Sequence, residues 1–124
     1  MTVADSDVLI DALRGRYPTK ETMTSNLRDG SVATTAVSVF ELMSGARTPR
    51  ERAMIEQLLG PMPILSFDHA AGIAAADVRR ALEKSGDGIG MADYQIAGIC
   101  VSRGAALWTR NTAHFERVPD LRLA

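Results

Sequence analysis

Residues Thr2-Val3-Ala4-Asp5-Ser6-Asp7-Val8-Leu9-Ile10 change period halfway through. Thr2 to Asp5 is a short strand-like run, whereas Val8, Leu9, Ile10, Ala12 and Leu13 recur at helical spacing. The stretch reads as a strand feeding directly into a helix, with carboxylates at the junction. The same switch recurs down the chain. Val32 to Ala36 is β-rich and runs into a short helix from Ser38 to Met43 that ends near Gly45. Pro63 to Phe67 is a third strand, followed by a helix from Asp68, its N-cap, to Lys84, with Gly86 as the stop. Ala106 to Thr109 is a fourth strand, and Leu121 to Leu123 a short edge strand.

Three further helices fill the intervals. One spans Glu21 to Leu27 and closes at Asp29-Gly30. Another starts with Thr48 as N-cap, Pro49 in the first helical position and Glu51 three residues after the cap, and it runs to Gly60. The last covers Met91 to Ser102 and ends at Gly104. Strands alternating with helices predict an α/β fold with a mostly parallel sheet and helices on both faces, a three-layer α/β/α domain. In such a sheet all strands end along one edge, where ligands bind.

The chain has 124 residues, 46% hydrophobic and 23% charged, with 14 Lys+Arg against 15 Asp+Glu. These values suit one domain with its own core, and they exclude disordered, collagen-like and disulfide-scaffold classes. A net charge of −1 excludes a broadly basic nucleic-acid platform, so any nucleic-acid contact must be local. The lone Cys100 fits a reducing compartment. No basic-then-apolar leader and no apolar run of roughly 18 residues is present, which sets the expectation of a cytoplasmic protein.

Chemistry is expected where acidic residues meet strand ends. Asp5 closes the first strand, Glu41 lies one turn past the second, and Asp93 sits in the first turn of the 91–102 helix. Asn111 follows the fourth strand. Carboxylates gathered this way repel one another unless a cation offsets them. Hard oxygen ligands suit Mg2+ or Mn2+, which point to metal-assisted phosphodiester hydrolysis. Each residue also has a local structural use. Ser38 to Glu41 fits a capping box, Asp93 complements a helix dipole, and Asp5, Ser6 and Asp7 can cap the first helix.

Four segments, in order, resemble the PIN-domain ribonucleases, specifically the toxins of VapBC toxin–antitoxin pairs. They are Val3 to Ile10, Thr34 to Ala46, Ile89 to Ala97 and Gly104 to Phe115, and together they span nearly the whole chain. The resemblance puts the family's three best-defined acidic positions on Asp5, Glu41 and Asp93, as ligands of Mg2+ or Mn2+. A fourth falls on Asn111, where many members carry Asp. Asn is neutral, so Asp7 is the residue placed to replace the missing charge. Ser6 and Thr109 become hydroxyls that orient the carboxylates. The implied reaction is attack of a metal-activated water on an RNA phosphodiester, leaving 5′-phosphate and 3′-hydroxyl ends. The implied partners are an RNA substrate, a second copy of the chain and a cognate VapB-like antitoxin whose C-terminal peptide crosses the active-site groove. Contact with DNA would come only through that antitoxin. Segments 21–27 and 48–59 are the candidate surfaces for antitoxin and dimer contacts.

Other signals carry less. Asp5-Ser6-Asp7-Val8 also matches the first motif of haloacid-dehalogenase-type phosphatases, with one Asp as nucleophile and the next as acid/base. Their distal acidic loop should follow an apolar strand, however, whereas Gly86-Asp87-Gly88 follows a helix. The neutral Asn111 leaves a further alternative, a PIN-fold interaction module with weakened catalysis. His69 and His114 have no partner at zinc-ligand spacing. Cys100 and Trp108 read as core. Arg14, Arg16, Lys20 and Arg110 are the candidate contacts to RNA phosphates, because the charge balance leaves few others.

Overall fold

A computed structural model describes residues 1–124. Strands β1 (Thr2–Ala4), β2 (Val32–Thr35), β3 (Ile64–Leu65) and β4 (Ala106–Trp108) form one parallel sheet in the order β3-β2-β1-β4. Thr2 pairs with Val32 on one side of β1 and with Ala106 on the other. Leu123 extends the sheet beyond β4 through a parallel bridge to Leu107, at the place expected for the edge strand.

Alternation along each strand builds two cores. Val3, Ala33, Leu65 and Leu107 point to one face and Ala4 and Val32 to the other, as the period of two requires. On the first face lie α5 (His69–Lys84), α6 (Met91–Arg103) and α7 (Thr112–Phe115). On the second lie α1 (Ser6–Leu13), α2 (Thr19–Asp29), α3 (Ala36–Gly45) and α4 (Pro49–Leu59). The three layers expected from the sequence are present. Ile96, Ile99 and Leu107 are fully buried in the first core. Each such side chain contributes roughly 1.5–3 kcal/mol.

Helices α5 and α6 make the most extensive helix–helix contact. They approach so closely because the seam is built from small residues, Ala71 and Ala75 on α5 and Gly98 on α6. A Cβ at Gly98 would sit 2.5 Å from the Ala71 carbonyl oxygen and 2.6 Å from the Ala75 Cβ, inside any van der Waals limit. Glycine is the residue this seam admits.

Local chemistry sets the element boundaries. Thr48 and Asp68 cap α4 and α5, accepting from the N–H groups of Glu51 and Ala71. The second βα junction differs from the sequence reading. β2 ends at Thr35, and Thr35 itself caps α3, with its Oγ1 accepting from the Ser38 N–H at 3.0 Å. Ser38 is therefore buried inside the helix rather than capping it. That leaves Glu41 with no capping role.

Strand order reverses at β1. The chain moves from β1 to β2 to β3 in one direction, and β4 then returns to the opposite side of β1. The loops leaving β1 and β4 consequently diverge and open a crevice at the C-terminal edge, where ligands of doubly wound sheets bind. No helix is long and apolar enough to cross a membrane.

Candidate active site

At that crevice Asp5 serves as N-cap of α1 and accepts the Ser6 N–H through Oδ1 at 2.8 Å. Its other oxygen, Oδ2, accepts the Thr109 hydroxyl at 2.8 Å. Thr109 belongs to the segment after β4, so this bond joins the two loops of the switch point. Capping and site membership coincide in Asp5. The carboxylate is nevertheless only 6% exposed. Burial pushes its pKa from the ordinary 3.8 up to about 6. The bonds from Thr109 and Ser6 oppose that rise, and the charges of Asp7 and Asp93 add to it.

Asp7 turns Oδ2 toward the same loop, where it accepts the Arg110 backbone N–H at 3.1 Å and faces the Thr109 hydroxyl at 3.3 Å. Asp7 Oδ1 is buried without a hydrogen-bond partner. Glu41 shows the same feature, with Oε1 buried and unpartnered. Burial raises the Glu41 pKa, a hydrogen bond from Ser6 opposes the rise, and repulsion from Asp93 and Asp7 augments it. The four carboxylates thus share one electrostatic field, with Asp5 and Asp7 at the start of α1, Glu41 in α3 and Asp93 in α6.

Asp93, in the first turn of α6, receives a partner that the sequence reading had set aside. His114 Nδ1 lies 2.9 Å from Asp93 Oδ2 and 2.8 Å from the Asn111 side-chain amide. One ring nitrogen cannot donate to a carboxylate and also accept from an amide N–H. The network is consistent when Nδ1–H faces Asp93 and Asn111 presents its amide oxygen to the ring. Asn111 therefore supports the site through His114 on α7. The signal for His114 lay in its spacing three residues after Asn111, but only the fold reveals Asp93 beside it.

Two buried, unpartnered carboxylate oxygens among mutually repelling acids are costly unless a cation or its water shell meets them. The donor set, oxygen throughout, fits Mg2+ or Mn2+. No three of these acidic groups converge tightly enough to ligate one ion on their own. Such ions commonly take one or two carboxylates and keep several waters.

The predicted site residues are distributed as follows. Asp5, Ser6, Asp7, Glu41, Asp93, Thr109 and Asn111 all lie at the crevice. Of the four predicted cations, Arg110 is at its rim and Arg14 lines a groove next to Glu41. Arg16 and Arg110 both pair with Asp11, a buried residue absent from the sequence reading. Lys20 lies apart, on α2 near Glu21 and Arg28. The groove beside Glu41 has a volume of about 380 Å3 and runs between α1, α3 and α4 over Leu13, Leu42 and Ile55.

Residues 2–121 match the sequence profile of the PIN domain. The chain belongs to the PIN-domain family. Among relatives, ribonuclease VapC10 of Mycobacterium tuberculosis is 34% identical over 122 residues, covering 98% of this chain and 91% of that protein. The tRNA(fMet)-specific endonuclease VapC of Shigella flexneri is 32% identical, covering 95% and 92%. Among solved structures, the DNA-bound VapBC complex of Salmonella typhimurium contains a chain that superposes with a TM-score of 0.90 at 26% identity, covering 99% of this PIN domain and 96% of that chain.

Proposed function

We propose that this PIN domain, taken as one domain over residues 1–124, is the toxin of a VapBC-type pair and a divalent-metal-dependent endoribonuclease. The relatives named above, similar from end to end, support the ribonuclease reading. The observation that carries the mechanism is the pair of buried, unpartnered oxygens, Asp7 Oδ1 and Glu41 Oε1, among four mutually repelling carboxylates.

Asp5, Glu41 and Asp93 would hold Mg2+ or Mn2+, directly or through water, with Asp7 supplying the charge that Asn111 lacks. Bound there, such an ion offsets the carboxylates' repulsion, orients a phosphate and lowers the pKa of an attacking water. Thr109 fixes the rotamer of Asp5 by donating to Oδ2, and Ser6 acts likewise on Glu41. His114, backed by Asn111, fixes Asp93. Arg14, Arg16, Lys20 and Arg110 contact the RNA backbone. In the reaction, water adds to phosphorus and the bond to the 3′ oxygen breaks, giving 5′-phosphate and 3′-hydroxyl ends.

The partners are a cognate VapB-like antitoxin, an RNA substrate and a second copy of the chain, in the cytoplasm. The apolar groove beside Glu41 suits the antitoxin's C-terminal peptide, and DNA is reached only through the antitoxin. The test is cleavage of structured tRNA and ribosomal RNA fragments by the purified chain, freed of any partner, in Mn2+ or EDTA. Metal-dependent cleavage that vanishes in Asp5→Asn supports the enzyme. No cleavage by folded, metal-loaded protein would instead identify a PIN-fold interaction module.

A further inference from the structure

Helix α1 carries two acidic residues one turn apart, Asp7 and Asp11, and both reach the segment after β4. Asp7 accepts the Arg110 backbone N–H, while Arg110 Nε and Asp11 Oδ2 form an ion pair at 3.2 Å. Arg110 is thus fixed at main chain and side chain by one face of a single helix. Asp11 Oδ1 meanwhile accepts from Arg16 Nη1 at 3.3 Å. Asp11 is 4% exposed, whereas the side chains of Arg16 and Arg110 are 53% and 58% exposed.

One buried carboxylate needs only one guanidinium for neutrality. Two arginines on it leave a surplus positive charge facing solvent at the rim of an acidic crevice. Their remaining donors are also free: Arg110 engages only Nε and keeps both terminal amino groups, and Arg16 engages one Nη. A guanidinium with its outer N–H groups free matches the oxygen spacing of a phosphate. Arg14 and Lys20, by contrast, are held by no carboxylate.

We propose that Asp11 holds Arg16 and Arg110 as a paired phosphate fork that grips the RNA backbone beside the bond to be cut. The inference rests on the RNA-cleaving role proposed above. In it Asp11 is a positioning residue, acting through the two arginines. The fork supplies the fixed positive charge that a polyanion needs to approach four carboxylates on a chain of net charge −1.

The experiment is binding of a fluorescent single-stranded RNA to the purified full chain in EDTA, which prevents cleavage, across a KCl series. Arg16→Gln and Arg110→Gln should each weaken binding and flatten the slope of log affinity against log salt by about 0.7. Arg80→Gln, which removes a charge from the far layer on α5, should leave the slope unchanged. Asp11→Asn is decisive in sign. A positioning role predicts several-fold weaker binding, although the variant loses a negative charge; simple charge counting predicts tighter binding. Arg110→Lys, which keeps the charge and removes the fork, should also weaken binding and covers the case in which Asp11→Asn fails to fold. Slopes at the wild-type value in both Gln variants, or wild-type affinity in Arg110→Lys, would overturn the fork while leaving the nuclease reading intact. Absence of RNA binding by the wild type in EDTA would also overturn the fork, while the nuclease reading would stand or fall on the cleavage test in Mn2+.

Discussion

The α5–α6 seam and the C-terminal crevice lie on the same sheet and are built on opposite terms. At the seam, Gly98 and two alanines leave no room for one more carbon, and every apolar group has a neighbour. At the crevice, four acidic residues from three helices repel one another, and two of their oxygens have no partner. Helix α6 takes part in both, with Gly98 in its body and Asp93 in its first turn. A rigid body carries a strained tip. The stability of the seam offsets the crevice's repulsion, and the unmet oxygens show what kind of ligand relieves it.

The comparison breaks most sharply at Asp5. Asp5→Asn should lower RNA cleavage in Mn2+ by a factor on the order of 10²–10³, with no loss of folding stability. A variant that loses activity by unfolding would count against the division between tip and body.

The same residue predicts a pH effect of the next size in the metal-free protein. Folded Asp5 keeps its proton until pH about 6, whereas the unfolded chain releases it near 3.8. Between those values the native state binds more protons, so stability falls as pH rises. At about 1.36 kcal/mol per pH unit, the full loss from Asp5 is about 3 kcal/mol. Urea unfolding at pH 4 and pH 7 should show this drop in wild type and a smaller one in Asp5→Asn. Saturating Mn2+ should reverse it at pH 7. Equal pH dependence in both proteins would mean that Asp5 is not the strained group.

Gly98→Ala tests the other region. A methyl group facing the Ala71 carbonyl forces the helices apart, and overpacking of this kind costs roughly 1–3 kcal/mol. Denaturant midpoints should fall accordingly. At temperatures where the variant remains folded, cleavage per folded molecule should stay near wild type.

How much of this was legible depended on the range of the physics involved. Period and capping are local, so the Thr48 and Asp68 caps, the four strands and the layers could be read from neighbouring residues. Asp5 and Glu41 were legible because a parallel sheet sends every strand end to one edge, whereas Asp93, on a helix that follows another helix, was placed by the family resemblance. The α3 boundary is not legible in sequence because Thr35 and Ser38 are both capping types, each with a plausible partner three residues on, and only burial decides between them. Asp11 carries no motif signal of its own. Its role depends on Arg110, 99 residues later, and no local pattern encodes that pairing.

His114 offers the smallest and most diagnostic prediction. Its Nδ1 lies within hydrogen-bond distance of both Asp93 and Asn111, so it bears on the crevice without belonging to the carboxylate set. Groups that orient a ligating side chain typically contribute 10- to 100-fold in metal affinity. His114 is half exposed, which places its effect at the lower end. His114→Ala should therefore weaken Mn2+ binding about tenfold by calorimetry and leave the unfolding midpoint of the metal-free protein nearly unchanged. His114→Asn, which can still donate to Asp93, should recover part of the affinity. If both variants bind Mn2+ as the wild type does, Asp93 is held by α6 alone, and the line from Asn111 through His114 is surface packing. If Asn rescues what Ala loses, the neutral Asn111 and His114 together form the fourth support of the crevice, in place of a charge.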